Sequence, residues 1–191
     1  MDVSPVTLEG SYVRLEPLTL EHVAPFREAA REWGLTLEQV REGVEEALRR
    51  QSEGTSLPFA TIEKGSGAVV GGTRFLRITP EHRRLEIGST WVAAPWRRTA
   101  VNTEAKLLML EHAFERLGCV RVEFLVDALN ETSRGAVLRI GAAEEGTLRS
   151  YVVTREGEVH DAVIYSIVAR EWPALKTRLR EMLLRPRAGG L

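Results

Sequence analysis

The stretch Trp91–Asn102, WVAAPWRRTAVN, holds the residues of this 191-residue chain best suited to bind an anion. Its apolar start reads as the end of a strand, and an amphipathic helix is expected from Asn102 to Leu117. A helix N-terminus presents backbone N–H groups that lack an intrahelical acceptor, and its dipole adds partial positive charge. Together these suit a phosphate-sized anion, and a small side chain such as Ala100 lets a ligand reach the main chain. Arg97 and Arg98 add guanidinium donors. The same spacing also fits a solvated loop that only caps a helix, and both readings are open at this point. Neither GxGxxG nor GxxxxGK[ST] occurs. A single cysteine, Cys119, excludes a multi-thiolate zinc site, and its place at the start of a strand makes it a buried small hydrophobe. The four histidines (22, 82, 112 and 160) show no pair at metal-ligand spacing, so no metal is expected.

The elements that must position these residues can be read from periodicity. Tyr12–Leu18 alternates as a strand ended by Pro17. Helices are expected over 20–31 and 36–51, the second opened by Thr36 and Gln39 at capping-box spacing. Strand-like runs at 58–63, 68–79 and 83–92, joined by short turns, predict an antiparallel meander. Helix 102–117 places Leu107, Leu110, Phe114 and Leu117 on one face and Glu104, Glu111 and Glu115 on another, with Gly118 as its stop. Val120–Asp127 alternates as a further strand. A helix over 131–140, strands over 147–154 and 158–168, and a helix over 171–184 complete the order. The fold class is therefore α+β around one largely antiparallel sheet, with a parallel step forced by the strand–helix–strand unit 83–127. Residues 1–184 are expected to form a single domain and 185–191 a disordered tail.

With 26 basic and 27 acidic side chains the net charge is −1, which argues against a general nucleic-acid surface. No uncharged apolar run approaches the roughly 18 residues of a membrane span. The start, MDVSPVTLEG, lacks the basic and apolar regions of a signal peptide. A soluble cytoplasmic protein without membrane partners is the expectation.

Several segments carry a family resemblance together: Leu85–Trp91 (LEIGSTW), Trp96–Phe114 (WRRTAVNTEAKLLMLEHAF), Leu117–Arg121 (LGCVR), Asn130–Arg134 (NETSR), Gly141–Arg149 (GAAEEGTLR) and the closing Asp161–Trp172. Over Leu8 to about Leu184 the chain resembles the GCN5-related N-acetyltransferases. Within them it is similar to the branch that contains the RimJ/RimL ribosomal-protein N-terminal acetyltransferases. The resemblance implies a three-layer fold whose mixed sheet splays between its fourth and fifth strands, here 83–92 and 119–127, with acetyl-coenzyme A entering the gap. The family's pyrophosphate loop, [Q/R]-x-x-G-x-[G/A], falls on Arg97, Arg98, Thr99, Ala100, Val101 and Asn102, followed by Thr103. Ala100 stands where a glycine is usual. If the loop needed φ > 0 there, alanine would strain it by roughly 1–2 kcal/mol; if it needs only a small residue with helical φ, alanine serves.

Further roles follow from the resemblance alone. Trp91, Val92 and Ala93 would pair with the pantetheine arm and supply oxyanion donors. Asn130 and Arg134 would bind the cofactor, although Asn130 equally suits a helix N-cap. Glu86, opposite Leu85 and Ile87 in its strand, is the implied base, with a surface ion pair to Arg74, Arg83 or Arg84 as the alternative. The tyrosine that many relatives use as acid is replaced by Val137, and Ser133 takes the donor role proposed in the RimL-like branch, unless it only bonds its own helix. Trp33 lines the acceptor site or belongs to the core. The implied activity is direct acetyl transfer to a primary amine, either a protein N-terminus or a small molecule. A coenzyme A-binding module without catalysis and a ribosome-associated interaction protein are the alternatives. A homodimer follows from family habit only.

Overall fold

Strand alternation and helical stripes put the apolar side chains on two sides of one sheet. The computed structural model describes residues 1, 3–154 and 156–184; the stretch 185–191, expected as a disordered tail, lies outside the described residues. Eight strands run β1 (Leu8–Glu9), β2 (Val13–Pro17), β3 (Ser56–Glu63), β4 (Val69–Thr79), β5 (Arg84–Val92), β6 (Arg121–Asp127), β7 (Ala143–Val153) and β8 (Val159–Val168). Helices α1 (Val23–Ala29) and α2 (Leu37–Ser52) precede β3, α3 (Ala100–Glu111) joins β5 to β6, α4 (Glu131–Arg139) joins β6 to β7, and α5 (Trp172–Leu184) follows β8. The sheet order is β1-β2-β3-β4-β5-β6-β8-β7, antiparallel throughout except for the parallel pair β5–β6. No helix among the described residues is long and apolar enough to cross a membrane.

The fold class is the expected one, with an added edge. The two-residue β1 pairs Leu8 with Leu15 and Glu9 with Arg14. It is too short to show a period, and it makes the splayed pair the fifth and sixth strands rather than the fourth and fifth. On one face, Val23 and Phe26 of α1 and Val40, Val44 and Ala47 of α2 pack on Ala60 and Ile62. On the other, Met109 and Leu110 of α3, Val137 of α4 and Leu175 and Leu179 of α5 pack on Val13, Phe59, Phe75, Leu85, Ile87 and Phe124. Helix α3 begins two residues earlier than expected and ends in a widened turn over His112–Arg116.

Buried charge marks where simple amphipathicity misleads. Glu104, expected on the polar face, is only 4% exposed. Its carboxylate accepts from the backbone N–H groups of Ser11 (2.8 Å), Tyr12 (2.6 Å) and Val13 (2.7 Å), which ties the β1–β2 turn to α3. A side chain on Gly10 would approach that carboxylate to 2.5 Å, so the turn needs a glycine there.

Candidate active site

The site is set by how briefly β5 and β6 pair. Their register holds for Arg84↔Arg121, Leu85↔Val122 and Glu86↔Glu123, and then the strands part. Beyond Glu86, β5 keeps β4 on one side and faces a wedge-shaped gap on the other. Ala93 donates its N–H to Val70 O at 2.8 Å, on the β4 side. Strand alternation then turns the N–H of Val92 towards the gap. Of the three residues expected to supply donors, Val92 is thus the one whose amide is available, while the carbonyl of Val92 accepts from Arg97 Nε at 3.0 Å.

A bulge re-aims the strand above this point. Gly72 pairs with Trp91 and Arg74 with Gly88, so Thr73 faces both Ser89 and Thr90. Ser89 takes φ +47°, the left-handed residue that the extra length demands. Leu85 and Ile87 face α3; after the bulge Thr90 does so, and Trp91 turns to the α1–α2 side. Glu86 lies on that second face as well. It is 5% exposed and pairs with Arg77 Nε at 2.8 Å, not with Arg74, Arg83 or Arg84. A side chain on Gly88 would come within 2.6 Å of its carboxylate, which explains the glycine. Burial raises the Glu86 pKa, Glu123 adds to the rise, and Arg77 opposes it. A carboxylate so placed at the apex of the gap can take up a proton nearer neutrality than an exposed glutamate.

At the mouth of the gap the loop 97–103 meets the start of α3. Thr99 is the N-cap, its hydroxyl accepting from Val101 N–H at 3.3 Å. Among the described residues the N–H groups of Arg98, Thr99, Ala100 and Asn102 find no acceptor. The buried Asn102 Oδ1 and Thr103 Oγ1 have no partner either. The left-handed residue is Arg98 (φ +62°), not Ala100, which opens the helix with a negative φ. Ala100 therefore carries no left-handed strain. These unspent amides fit a phosphate-bearing group. Arg97 is engaged by Glu32, which links the loop to the turn Arg31–Trp33.

Across the gap, Asn130 is the N-cap of α4, with Oδ1 accepting from Ser133 N–H at 3.0 Å and Nδ2 left over to donate. The Ser133 hydroxyl makes no hydrogen bond among the described residues. Arg134 turns inwards instead, donating from Nε to Tyr165 Oη at 3.0 Å and from Nη1 to Ala128 O at 3.3 Å. Asp127 accepts from Leu129 N–H and pairs with His160 Nδ1 at 2.7 Å, and Cys119 is buried. Trp33, 44% exposed, packs edge-on against Trp91 with ring centroids 5.3 Å apart, and both line a cavity of about 380 Å³ between the sheet and α1–α2.

Sequence reasoning missed Lys106. It projects from α3 on to β4 and β5, is 5% exposed, and bonds Thr73 Oγ1 (3.1 Å) and Thr90 Oγ1, with no ion pair to a carboxylate among the described residues. The hydroxyls of Thr73 and Thr90 bond each other at 2.8 Å. Burial pulls the lysine pKa down to about 7. No motif marks it; a lysine at the third position after Thr103 reads as surface until the bulge at Ser89 is known.

Comparison with known proteins gives concordant findings. The profile described as "Acetyltransferase (GNAT) domain" matches residues 13–143. The "Putative ribosomal N-acetyltransferase YdaF" of Bacillus subtilis is 34% identical over 118 residues, which span 60% of this chain and 63% of that protein's length. The match thus covers less than two thirds of that relative. The crystal structure of a GCN5-related N-acetyltransferase from Brucella melitensis is 30% identical, with a TM-score of 0.88 over 95% of this chain and 86% of that one. Mycobacterium smegmatis RimJ, solved in complex with CoA-disulfide, shares the fold at 24% identity and a TM-score of 0.79, over 93% of this chain and 95% of that one.

Proposed function

Because the chain belongs to the GNAT acetyltransferase family, we propose that it moves the acetyl group of acetyl-coenzyme A on to a primary amine by direct attack. The observation that carries this reading is the parting of β5 and β6 after three register pairs, with unspent amides at its mouth. Acetyl-coenzyme A supplies an acyl thioester with a thiol leaving group. Residues Arg98–Asn102 would hold its diphosphate, Val92 and the Asn130 amide its pantetheine arm. The RimJ neighbour's coenzyme A complex supports that choice of ligand.

The chain's own groups then divide the work. Glu86 accepts the proton of the incoming amine, helped by a pKa raised through burial. Val92 N–H donates to developing negative charge on the acyl oxygen. Ser133, whose hydroxyl is uncommitted, relays a proton to the departing thiolate. The acceptor is a protein α-amine, as the name of the YdaF relative suggests, or a small amine, and the cavity beside Trp33 and Trp91 receives it. Titration calorimetry with coenzyme A, followed by thiol release with peptide, amino-acid and polyamine acceptors, tests the reading. Binding plus amine-dependent release is expected; absence of heat with coenzyme A overturns it.

The loop makes a sharper prediction. Ala100 has negative φ, so Ala100→Gly leaves the coenzyme A dissociation constant within about twofold of the parent. It lowers thermal stability by at most about 1 kcal/mol, through backbone entropy. A tenfold gain in affinity would show instead that the loop wants the left-handed conformation there.

A further inference from the structure

Among the described residues, the cavity under α1–α2 has one charged residue in its wall, and that residue has no partner. Phe26, Trp33, Leu35, Val40, Val44 and Trp91 make it apolar and aromatic. No carboxylate lines it, and its charge comes from Arg74 of β4 alone. Arg74 is half-buried and makes no ion pair or hydrogen bond among the described residues. The acid that acts on it, Glu46 of α2, is already held by Arg49 and Arg50, and Arg50 itself repels the Arg74 charge. A guanidinium withdrawn from water without an anion is costly, and it is retained where a ligand supplies the anion. Burial lowers its pKa, in keeping with that missing counter-charge.

Position adds to chemistry. Arg74 pairs in register with Gly88, and Glu86 pairs with Leu76, so Arg74 and Glu86 are near neighbours on one face of the β4–β5 ladder. A guanidinium fork for a carboxylate, in the cavity wall, and a base for an amine, outside that wall, thus sit diagonally on one face of the ladder.

Resting on the acetyltransferase reading above, we infer that the acceptor is a small primary amine bearing a single carboxylate and an apolar or aromatic body, a free amino acid rather than a polyamine or a peptide. One unpaired guanidinium matches one carboxylate, because the other cation near it, Arg50, is already matched by Glu46. A polyamine would need carboxylates, and the wall has none. At about 380 Å³ the cavity lies at the small end of the range for ligand clefts, roughly 300–1,000 Å³, enough for one such molecule.

The test uses binding as well as turnover. Free apolar and aromatic amino acids, their amides, short peptides and spermidine are titrated by calorimetry, and the same compounds are offered with acetyl-coenzyme A. The free acids are expected to bind, and to show KM values, at least about tenfold below those of their amides, in line with a charge-assisted bidentate pair. Arg74→Gln abolishes that preference without altering the affinity for coenzyme A, and Arg74→Lys restores part of it. Thermal melts of both variants report whether the fold is kept. Equal affinity for acid and amide in the parent, efficient acetylation of peptides or spermidine alone, or no binding by any free acid overturns the inference. Coenzyme A calorimetry reports on the acetyltransferase reading separately, since a chain that binds coenzyme A and acetylates another class of amine fails only the present inference.

Discussion

Glu86→Gln lowers kcat by about 10²–10³-fold, the range expected when a positioned general base is lost. The coenzyme A dissociation constant stays at the parent value, because the amides of the loop are untouched. The parent's kcat/KM falls on its acid side as Glu86 takes up a proton, at a pH above the usual glutamate range because burial raises its pKa. That limb vanishes in the variant. The sign of the stability change separates chemistry from collapse. A carboxyl group whose folded pKa is raised stabilises the fold below its unfolded pKa and loses that contribution as pH rises through the folded value. Wherever Glu86 is ionised in the folded chain it is therefore a burden that glutamine removes, and Arg77, with its side chain 44% exposed, can turn to water. A variant as stable as the parent and far slower supports the base. A variant within about threefold of the parent's kcat, or one that loses activity only with its fold, would count against it.

Lys106→Met raises stability at pH 7 and removes a pH dependence. With its pKa pulled to about 7, Lys106 is neutral above that pH in the folded chain, while the unfolded chain keeps the proton to about pH 10.4. The unfolded state thus binds more protons, and stability climbs with pH from about 7, by up to about 1.4 kcal/mol per unit. The climb is readable to about pH 9, where Cys119 begins to act oppositely: its thiol, pushed up to about 11 by burial, keeps its proton when the unfolded thiol loses it. His160, whose pKa Asp127 raises, also works against the climb near neutrality. Subtracting the methionine variant's curve from the parent's isolates the lysine. The gain at pH 7 is on the order of 3 kcal/mol, since burial of the charge is relieved and Thr73 and Thr90 can still bond each other. Urea melts across pH 6–9 check it; parallel curves for the two proteins would show that Lys106 is not the source.

Much of this site was legible from residue types and spacing. The 3.6 period after Trp96 and the alternation around Phe124 located the two strands and the helix between them, and the family motifs supplied the gap. What the sequence concealed is geometry that depends on a single extra residue or on a distant partner. Glu104 and Lys106 are charged letters in an amphipathic pattern, and only tertiary contacts show them buried: three backbone amides of a turn some ninety positions away for one, two threonine hydroxyls for the other. Arg77, and not a nearer arginine, meets Glu86 because it takes φ +45° at an irregular stretch of β4. Nothing in the local sequence of Val69–Thr79 announces that irregularity. Ala100 takes the helical φ that was one of its two expected conformations, while the left-handed residue is Arg98, which nothing in the spacing singled out.

The single inserted residue at Ser89 also has a consequence for how this protein could diversify. By reversing the parity of its strand, it decides which side each later residue takes, so that Thr90 faces α3 and Trp91 faces α1 and α2. On the reading proposed above, the donor lies along the open edge of this strand and the acceptor over the face that carries Trp91, with little shared besides backbone. Exchanging the covering hairpin of α1 and α2 should retune which molecules are accepted while the opposite side stays intact, as a lathe keeps its spindle when the tool is changed.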